Sequence, residues 1–366
     1  VSAMGKTTDS LLALAHGAAD VRGEKSEPAR RELDMLLSTG ERVAMSLLSI
    51  AIQARGFAAI SFTGSQSGIL TNDRHFDARI IEVRPHRIED ELARGRVVII
   101  AGYQGMSYRR EITTLGRGGS DTTAVALAAA LSAERCEIYS DVDGVYSADP
   151  RVVAEADHIP LLDHAMLQEM AESGAKVLCA QAIEWARRSG IAIYARSTFD
   201  DSDSARQTVV RKFAPGEELR ARAVVAEPNV VLGRVEDASA LGSLIRATNE
   251  ARVGFKDFSV GQRGGSFVVP LLNVPDWSDA RKALVSAVPS LSLHEGAAVL
   301  SVVGDGLSAT AEPLARFVAT LSAERIEAMQ IVATPLRLGA VIDGARSADA
   351  QRALHAAFIE HRGAES

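Results

Sequence analysis

ITTLGRGGSDTT, at residues 112–123, places three glycines and one arginine directly before a helix-forming segment rich in alanine and leucine. Glycine lets the backbone approach a ligand closely, and Ser120 and Asp121 stand where a helix N-cap is expected. Free N–H groups and the positive end of a helix dipole then face the loop, and Arg117 adds a planar guanidinium that fits a carboxylate. The segment therefore predicts an anion site, although a strand-to-helix turn with a surface arginine has the same pattern.

Length and composition indicate a protein of several domains. At 366 residues, the chain exceeds the size at which a single core usually stops growing, so two or three domains are expected. Its hydrophobic content of 47% supports full cores. A net charge of −7, without a long basic block, argues against nucleic acid as a partner.

Cysteine usage and hydropathy indicate the compartment. Cys136 and Cys179 cannot form a disulfide framework and are interpreted as buried, reduced thiols. We find no signal peptide, and we expect no apolar stretch that approaches the roughly 20 residues needed to cross a bilayer. No membrane partner and a cytoplasmic location are therefore expected.

The first 200 or so residues alternate β-rich runs with amphipathic helices, which predicts an α/β fold with an open, mostly parallel sheet sandwiched by helices. Ligands of such sheets lie at the carboxyl ends of the strands, where Gly64, Gly102 and Asp141 fall, so the motifs are expected to converge on one cleft. Strands are predicted at 58–63, 97–101, 137–140 and 191–196, and helices at 39–55, 122–131, 164–171 and 175–189.

The C-terminal part of the chain follows a different pattern. Residues 201–221 are polar and charged, which indicates a linker. Residues 222–366 then repeat one order of elements twice, at about 223–288 and 297–362, each with a strand, a helix, further strands and a second helix. This α+β order resembles the ACT domain, a βαββαβ module that senses small ligands. Helices are predicted at 312–323 and 349–361.

The segment at 112–123 resembles the ITTLGRGGSD signature of the aspartate kinases, which are members of the amino acid kinase family. Further matches follow in the order of that family: VSAMGKTTD at 1–9, LDMLLSTGER at 33–42, AGYQG at 101–105, SDVDGVY and DPR at 140–151, and GAKVL at 174–178. The resemblance covers about the first 200 residues and implies a catalytic domain of the amino-acid kinase fold there. It also implies transfer of the γ-phosphoryl group of ATP, with Mg²⁺ on the nucleotide, to the β-carboxylate of L-aspartate.

The resemblance implies how the amino acid is held. Thr8, Glu41, Arg117 and Ser120 would bind L-aspartate, with Glu41 meeting its ammonium group and Arg117 its α-carboxylate. Asp121 would be a catalytic residue that organises the cationic groups around the phosphoryl group. A purely structural role for Asp121, as a helix cap, stays open.

The resemblance also implies a nucleotide site, formed by Ser140, Asp141, Tyr146, Arg151 and Lys176. Tyr146 would lie against the adenine and ribose, Asp141 would accept a hydrogen bond from a nucleotide hydroxyl, and Arg151 and Lys176 would face the phosphates. Lys176 would also be catalytic. The aspartate-rich turn could instead be an ordinary turn. No protein ligands for a metal are expected, because Mg²⁺ would arrive on the nucleotide.

The sequence departs from the family pattern in two places. Aspartate kinases normally begin with a strand and loop of the type Lys-Phe-Gly-Gly-Thr-Ser, whose lysine neutralises the transferring phosphate, and nothing in the printed sequence replaces it. We expect the natural polypeptide to carry this strand, because deleting a core strand would expose apolar surface. Cys179-Ala180 also stands where family members commonly have His-Pro.

Two alternatives remain beside the aspartate kinase. One is a catalytically inactive paralogue that senses amino acids, and the other is a kinase for another amino acid such as glutamate. ACT modules commonly pair across subunits, so a homodimer through the ACT-like units is expected.

Overall fold

The computed structural model describes residues 1–20, 26–175, 178–200, 202, 205–212, 221–262 and 264–360. They form two compact units. The first unit comprises Val1–Ser140, Leu178–Arg196 and Val209–Lys212, and the second comprises Asp141–Val177, Ser197–Thr208 and Phe213–Ser366.

The helices and strands are numbered in chain order. The helices are α1 (Thr7–Ala19), α2 (Arg30–Leu37), α3 (Thr39–Gln53), α4 (His86–Ala93), α5 (Gly119–Ala130), α6 (His164–Glu172), α7 (Ala180–Ser189), α8 (Leu241–Glu250), α9 (Trp277–Ala287), α10 (Glu312–Ala323) and α11 (Ser347–Phe358). The strands are β1 (Ala59–Phe62), β2 (Ile69–Thr71), β3 (Ile80–Val83), β4 (Val97–Ile100), β5 (Gln104–Ser107), β6 (Ile112–Thr114), β7 (Arg135–Ser140), β8 (Val145–Tyr146), β9 (His158–Ile159), β10 (Leu161–Leu162), β11 (Ala192–Ser197), β12 (Gln207–Val210), β13 (Ala221–Val235), β14 (Lys256–Gly261), β15 (Gly264–Pro270), β16 (Leu291–Gly304), β17 (Gln330–Thr334) and β18 (Arg337–Asp343).

The first unit contains three groups of strands packed against helices. β1 and β4 pair in parallel, with Ala59 opposite Val97. A mixed sheet has the order β3-β2-β5-β6, in which only β2 and β5 run parallel. β7 and β11 are neighbours in a further sheet. Apolar side chains from β1, β2 and β3 and from α4 and α5 form a common core, which includes Phe62, Ile69 and Ile88.

α2 and α3 together form an apolar helical stretch that is longer than the sequence analysis expected. The helical stretch Arg30–Gln53 is long and apolar enough to span a membrane by length and composition, so the expectation of no such stretch is wrong. A buried core helix passes the same test. Leu33 and Leu37 pack with Phe76 and Tyr103, and charged residues of the stretch are buried as well. α2 therefore packs into the core of this unit, whereas Val43, Leu47 and Ile50 of α3 are exposed.

α5 follows the glycine loop and is buried on nearly all sides. Val125 and Ala126 are fully buried, and small alanines let the helix approach its neighbours closely. Its strongest helix–helix contact is with α7. The loop therefore leads into a helix that the core holds firmly.

The second unit is built around a six-stranded sheet in the order β14-β15-β13-β16-β18-β17, and every pair in it is antiparallel. β13 and β16 are long because each serves both halves of the sheet. One half is covered by α8 and α9 over a core that contains Phe267, and the other by α10 and α11 over a core that contains Phe317. The two predicted α+β repeats are therefore one continuous sheet with shared central strands.

Most elements predicted from the sequence are confirmed, with shifted ends. The predicted strands correspond to β1, β4, β7 and β11, and the predicted helix at 312–323 is α10. The helix predicted from residue 175 begins at Ala180, and residues 176–177 lie outside the described part of the chain. β12 lies inside the predicted linker at 201–221. The proposed boundaries of a catalytic domain at 1–200 and an ACT-like region at 222–366 remain predictions.

Candidate functional site

The loop between β6 and α5 has the backbone geometry that its glycines predicted. Gly116 and Gly118 adopt positive φ angles of 76° and 74°, a region that costs glycine little and other residues more. Gly118 is the N-cap, and α5 begins at Gly119. The prediction that Ser120 and Asp121 form the cap is therefore wrong, because the helix starts earlier and both residues lie in its first turn.

Gly118 is also constrained from outside the loop by Cys179. A Cβ atom placed on Gly118 would stand 2.6 Å from the Cβ of Cys179, which is too close for any side chain. The thiol of Cys179 donates to the carbonyl oxygen of Gly118 at 3.1 Å, and it lies 2.8 Å from the hydroxyl of Thr122. Cys136 is buried as predicted, whereas Cys179 is half-buried and contacts the loop.

Arg117 and Ser120 place polar groups beside this loop. The Arg117 guanidinium is largely exposed, and its Nη2 atom lies 3.3 Å from Oδ1 of Asp9 in α1. Ser120 approaches the backbone of Gly102, after β4, closely because glycine has no side chain. A Cβ atom placed on Gly102 would lie only 2.8 Å from the Ser120 hydroxyl. Two segments that the sequence analysis placed at one cleft, the turn after β4 and the glycine loop, do meet in the first unit.

Glu41 is a buried carboxylate at the start of α3. Only 3% of its surface is exposed, and Oε1 accepts a hydrogen bond from the backbone N–H of Ala3 at 3.1 Å. Among the described residues, Oε2 is buried without a hydrogen-bond partner. Burial raises the pKa of Glu41, and its hydrogen bonds oppose this. A buried, unpartnered carboxylate oxygen is costly, so this atom is suited to a cationic ligand.

Thr7, the neighbour of Thr8 in α1, lies close to the residue before Glu41. The Thr7 side chain would be 3.4 Å from a Cβ placed on Gly40, the residue before Glu41. Thr8 itself is half-buried in the first turn of α1. The four residues predicted to hold the amino acid, Thr8, Glu41, Arg117 and Ser120, all belong to the first unit.

Asp121 is half-buried in the first turn of α5. Burial raises its pKa from 3.8 to about 6, and the helix start shows no side-chain capping bond. The alternative of a purely structural cap has no support in this geometry. A carboxylate with a pKa near neutrality is typical of functional sites, although structural networks also shift pKa values.

Asp34 is a residue of this unit to which sequence reasoning gave no role. It is fully buried in α2, where Oδ1 accepts from the Thr114 hydroxyl at 2.5 Å and from the Phe76 backbone N–H at 3.0 Å. Oδ2 lies 2.6 Å from Nδ1 of His75. An aspartate at a buried position of an amphipathic helix is the signal that could have identified it. Because Thr114 ends β6, Asp34 fixes the strand that leads into the glycine loop.

The residues predicted to bind the nucleotide lie on a loop after β7. Ser140 ends that strand in the first unit, and Asp141 begins an exposed turn that belongs to the second. Arg151 is exposed and forms a two-pronged ion pair with Asp149, from Nε at 2.9 Å and from Nη2 at 2.8 Å. Lys176 lies outside the described residues.

Tyr146 lies in β8 and is held by several side chains. Its hydroxyl donates to Oδ1 of Asp143 at 2.7 Å and accepts from Nη1 of Arg206 at 3.3 Å. Its ring meets the ring of His158 edge-on, with 5.4 Å between centroids. Burial raises the pKa of Tyr146, and the bond to Asp143 adds to this. Sequence reasoning missed Asp143 and Arg206, because the partners of one side chain are not visible in a motif.

In the described part of the chain, no group of three or more histidine, cysteine, aspartate or glutamate residues is placed to hold a metal ion. The aspartate-rich turn at 141–144 consists of bends, so an ordinary turn remains compatible with it.

Comparison with known proteins identifies the family to which the chain belongs. Residues 1–197 match the profile of the amino acid kinase family. The chain is 36% identical over 375 residues to the aspartokinase of Mycolicibacterium smegmatis, a match that spans 98% of this chain and 87% of the relative. It is also 36% identical over 379 residues to the aspartokinase of Thermus thermophilus, across 98% of this chain and 89% of the relative.

A solved structure supports the same assignment at the level of the fold. Aspartokinase III of E. coli, in complex with aspartate and ADP in its R-state, matches with a TM-score of 0.78 and 24% identity, across 96% of this chain and 80% of that one. The chain therefore belongs to the amino acid kinase family and, within it, to the aspartokinases. The predicted fold class, an amino-acid kinase fold followed by ACT-like units, is confirmed.

We predict that Gly118→Ala disrupts the loop. The new methyl group would require a left-handed backbone and would overlap Cys179, so we expect a loss of about 1–3 kcal/mol in the free energy of unfolding and a large fall in activity. Urea denaturation and steady-state kinetics measure the two effects. The matched control is Gly242→Ala in α8, where a Cβ meets nothing within 4 Å. Equal behaviour of the two variants would contradict the prediction.

We predict a pH dependence for Asp121. Its folded pKa of about 6 exceeds its usual value of 3.8, so the folded state binds more protons between these values and stability falls as pH rises through this window. Asp121→Asn should therefore gain on the order of 1–3 kcal/mol over the wild type at pH 8, where the charged form is buried, and much less at pH 4. Thermal unfolding across this range measures the difference.

The activity that depends on ionised Asp121 should decrease as the pH is lowered through about 6. A pH profile of kcat/KM measures this effect. A stability gain of Asp121→Asn that did not change with pH would contradict the assigned pKa.

Proposed function

We propose that the protein transfers the γ-phosphoryl group of ATP to the β-carboxylate of L-aspartate. A carboxylate oxygen attacks the γ-phosphorus, the bond to the β,γ-bridging oxygen breaks, and 4-phospho-L-aspartate and ADP are released. Mg²⁺ enters as part of the nucleotide substrate and neutralises phosphate charge. The aspartokinase relatives do not favour a glutamate kinase or an inactive sensing paralogue.

The buried Oε2 atom of Glu41 is the observation that carries the substrate assignment. It has no hydrogen-bond partner among the described residues, and an ammonium group would satisfy it and offset the desolvation of the carboxylate. Arg117, in the same unit, offers a guanidinium for an α-carboxylate and now faces Asp9. Thr8 and Ser120 would add neutral hydrogen bonds. A site with one anionic side chain, Glu41, and one cationic side chain, Arg117, suits a free α-amino acid, which carries an ammonium group and a carboxylate.

The start of α5 would stabilise the transferring phosphoryl group. The positive end of its dipole faces the glycine loop, where Gly116 and Gly118 adopt positive φ angles. Asp121 would orient cationic groups around the phosphoryl group, and Lys176 would contribute one of them. Ser140, Asp141, Tyr146 and Arg151 would hold the nucleotide, with Tyr146 against the adenine and ribose.

A coupled assay of ADP release tests the proposal. The full-length polypeptide should turn over Mg-ATP with L-aspartate and should not do so with L-glutamate or N-acetyl-L-glutamate. Turnover with glutamate alone would establish the other amino-acid kinase. Binding of amino acids without any turnover would establish the sensing paralogue.

We predict that Arg117→Ala weakens aspartate binding selectively. Removing a charge-assisted contact to the α-carboxylate should raise KM for aspartate by about 10- to 100-fold and leave KM for ATP within about two-fold. Arg109→Ala is the matched control, because Arg109 is also exposed and paired with an aspartate, Asp73. A rise in KM for ATP alone would show that the two half-sites have been assigned the wrong way round.

We also infer a cytoplasmic homodimer that pairs through the ACT-like region. β14 and β17 are the two edge strands of the six-stranded sheet, and each exposes an apolar side chain, Val260 and Ile331 respectively. Exposed edge strands with apolar side chains favour association with another chain. Light scattering on the purified protein should give twice the mass of one chain.

We predict that lysine and threonine inhibit weakly. An effector carboxylate at the first strand-to-helix junction of the ACT-like region would need free backbone N–H groups. There, Oδ1 of Asp237 already accepts from the Ser239 N–H at 2.8 Å, and Oδ2 accepts from the Ser239 hydroxyl at 2.5 Å. Asp237 and Glu236 would also repel the effector's carboxylate. Inhibition curves should show little effect at millimolar concentrations, and strong inhibition well below them would contradict this reasoning.

A further inference from the structure

A buried hydrogen bond joins the loop that carries Tyr146 to the last helix of the ACT-like region. The hydroxyl of Ser147 lies 2.8 Å from Nε2 of His355 in α11. Ser147 is 2% exposed and His355 is fully buried, although 208 residues separate them in the sequence. Both belong to the second unit. A buried polar contact of this kind is costly to break, because the Ser147 hydroxyl group and the Nε2 atom of His355 would each lose a hydrogen bond.

The direction of this hydrogen bond follows from the second nitrogen of the imidazole. Nδ1 of His355 lies 2.7 Å from Oε1 of Glu360, and a carboxylate only accepts hydrogen bonds. Nδ1 therefore carries a proton, and in the tautomer protonated at Nδ1 alone, Nε2 accepts from the Ser147 hydroxyl. The Ser147 oxygen in turn accepts from the Asp157 backbone N–H at 2.8 Å. The hydrogen bonds from Glu360 to Asp157 therefore form one connected chain through His355 and Ser147.

A second path connects the same loop to the same helix. The Ser147 carbonyl oxygen accepts from the backbone N–H of Val224 in β13 at 2.7 Å. The carbonyl oxygen of Val224 accepts from Nε2 of Gln351 at 2.9 Å, and Gln351 is buried one turn before His355 in α11. The Ser147 backbone N–H bonds to the Asp157 carbonyl at 2.8 Å. Ser147 is thus held through its N–H, its carbonyl and its side chain.

These contacts act on Tyr146, the preceding residue. Tyr146 pairs with His158 in the β8–β9 ladder, and the Ser147–Asp157 bond extends this ladder by one residue. In extended backbone, successive side chains point to opposite sides. Ser147 is buried toward α11, and Tyr146 is presented on the opposite side, where it is only half-buried. Fixing Ser147 therefore fixes the direction of the Tyr146 side chain.

We propose that His355 is a positioning residue for nucleotide binding, through which α11 of the ACT-like region holds Ser147 and thereby sets the orientation of Tyr146. The inference rests on the proposed nucleotide role of Tyr146. His355 touches no substrate in this scheme. Loss of its hydrogen bond should weaken ATP binding and leave the aspartate site, which lies in the other unit, unchanged.

His355→Leu and His355→Gln test the proposal together. Leucine keeps much of the volume and leaves the Ser147 hydroxyl unpaired, so KM for ATP should rise about 5- to 30-fold, with KM for aspartate and kcat within about two-fold. Glutamine supplies an amide oxygen that accepts the Ser147 hydrogen bond, so it should restore most of the ATP affinity. A merely structural role would not produce this selective rise in KM or its rescue.

Ser147→Ala removes the other partner and serves if His355→Leu does not fold. It should raise KM for ATP to a similar degree, and the double variant Ser147→Ala/His355→Leu should be no worse than either single variant. Two controls separate position from stability. Arg352→Ala alters the exposed side of α11, and Thr248→Val removes a buried hydroxyl that bonds within α8. Neither should change KM for ATP.

Direct titration of Mg-ATP by calorimetry, without aspartate, separates this inference from the proposed activity. Absence of aspartate-dependent turnover in the wild type would overturn the proposed function, while the calorimetric affinities of the variants would still test His355. An unchanged ATP affinity in folded Ser147→Ala would overturn the role of His355. An equal rise in KM for aspartate, or no rescue by glutamine, would overturn it as well.

Discussion

The buried carboxylate of Asp34 is the interaction on which the candidate substrate site depends. It joins three segments that are distant in the sequence, because it accepts from Thr114 at the end of β6 and from the backbone of Phe76, and it lies against His75. Burial raises the pKa of Asp34, and these hydrogen bonds oppose the rise, so they offset the cost of removing a carboxylate from water. The bond to Phe76 also holds a non-glycine residue at a positive φ of 72°. The chain runs from Thr114 directly into the glycine loop, so the position of Arg117 depends on a residue that touches no substrate.

The second unit is held together by strands that its two halves share and by polar contacts between a helix and the sheet. β13 and β16 take part in both halves of its sheet, so neither ACT-like half has a complete sheet without the other. α6 is fastened to this sheet by buried charges. Arg337 pairs with Glu169 at 3.2 Å and also with Asp257, and Lys256 donates to the Glu172 carbonyl at 2.9 Å. Removing one partner of such a pair leaves a buried charge uncompensated, which costs more than the pair contributes. These ion pairs and hydrogen bonds explain why α6 belongs to the same compact unit as the ACT-like sheet.

Sequence reasoning succeeded where the information is local. The ACT-like order of elements at 297–362 predicts α10 with its observed ends, and the glycines of the 112–123 segment predict a loop before a helix. It failed at the cap of α5, because the helix begins at Gly119 and leaves Ser120 inside the first turn. β12 lies inside the polar and charged stretch predicted to be a linker, where it joins a sheet through pairing with distant strands.

The site residues also divide into those that a sequence motif indicates and those that only the three-dimensional structure reveals. Glu41, Arg117 and Asp121 were named because their motif resembles a family. The unpartnered oxygen of Glu41 and the contact of Cys179 with Gly118 required coordinates, since both depend on which segments meet in space. Ser147 and His355 lie 208 residues apart, and a serine after a strand and a histidine in an amphipathic helix are each unremarkable in a sequence. Interactions of this kind are set by tertiary packing, which propensity and motif do not report.

The division of the chain into two units has a consequence for regulation. The residues proposed to hold aspartate belong to the first unit, whereas Asp141, Tyr146 and Arg151 share the second unit with the ACT-like sheet. A ligand that moved α11 would therefore act first on the nucleotide side, through the buried bond between His355 and Ser147. Coupling between two binding sites is reciprocal, so bound ATP would change the affinity of the ACT-like region for that ligand by the same factor. The nucleotide, rather than the amino acid, is then the substrate whose binding an effector of this enzyme would oppose or assist.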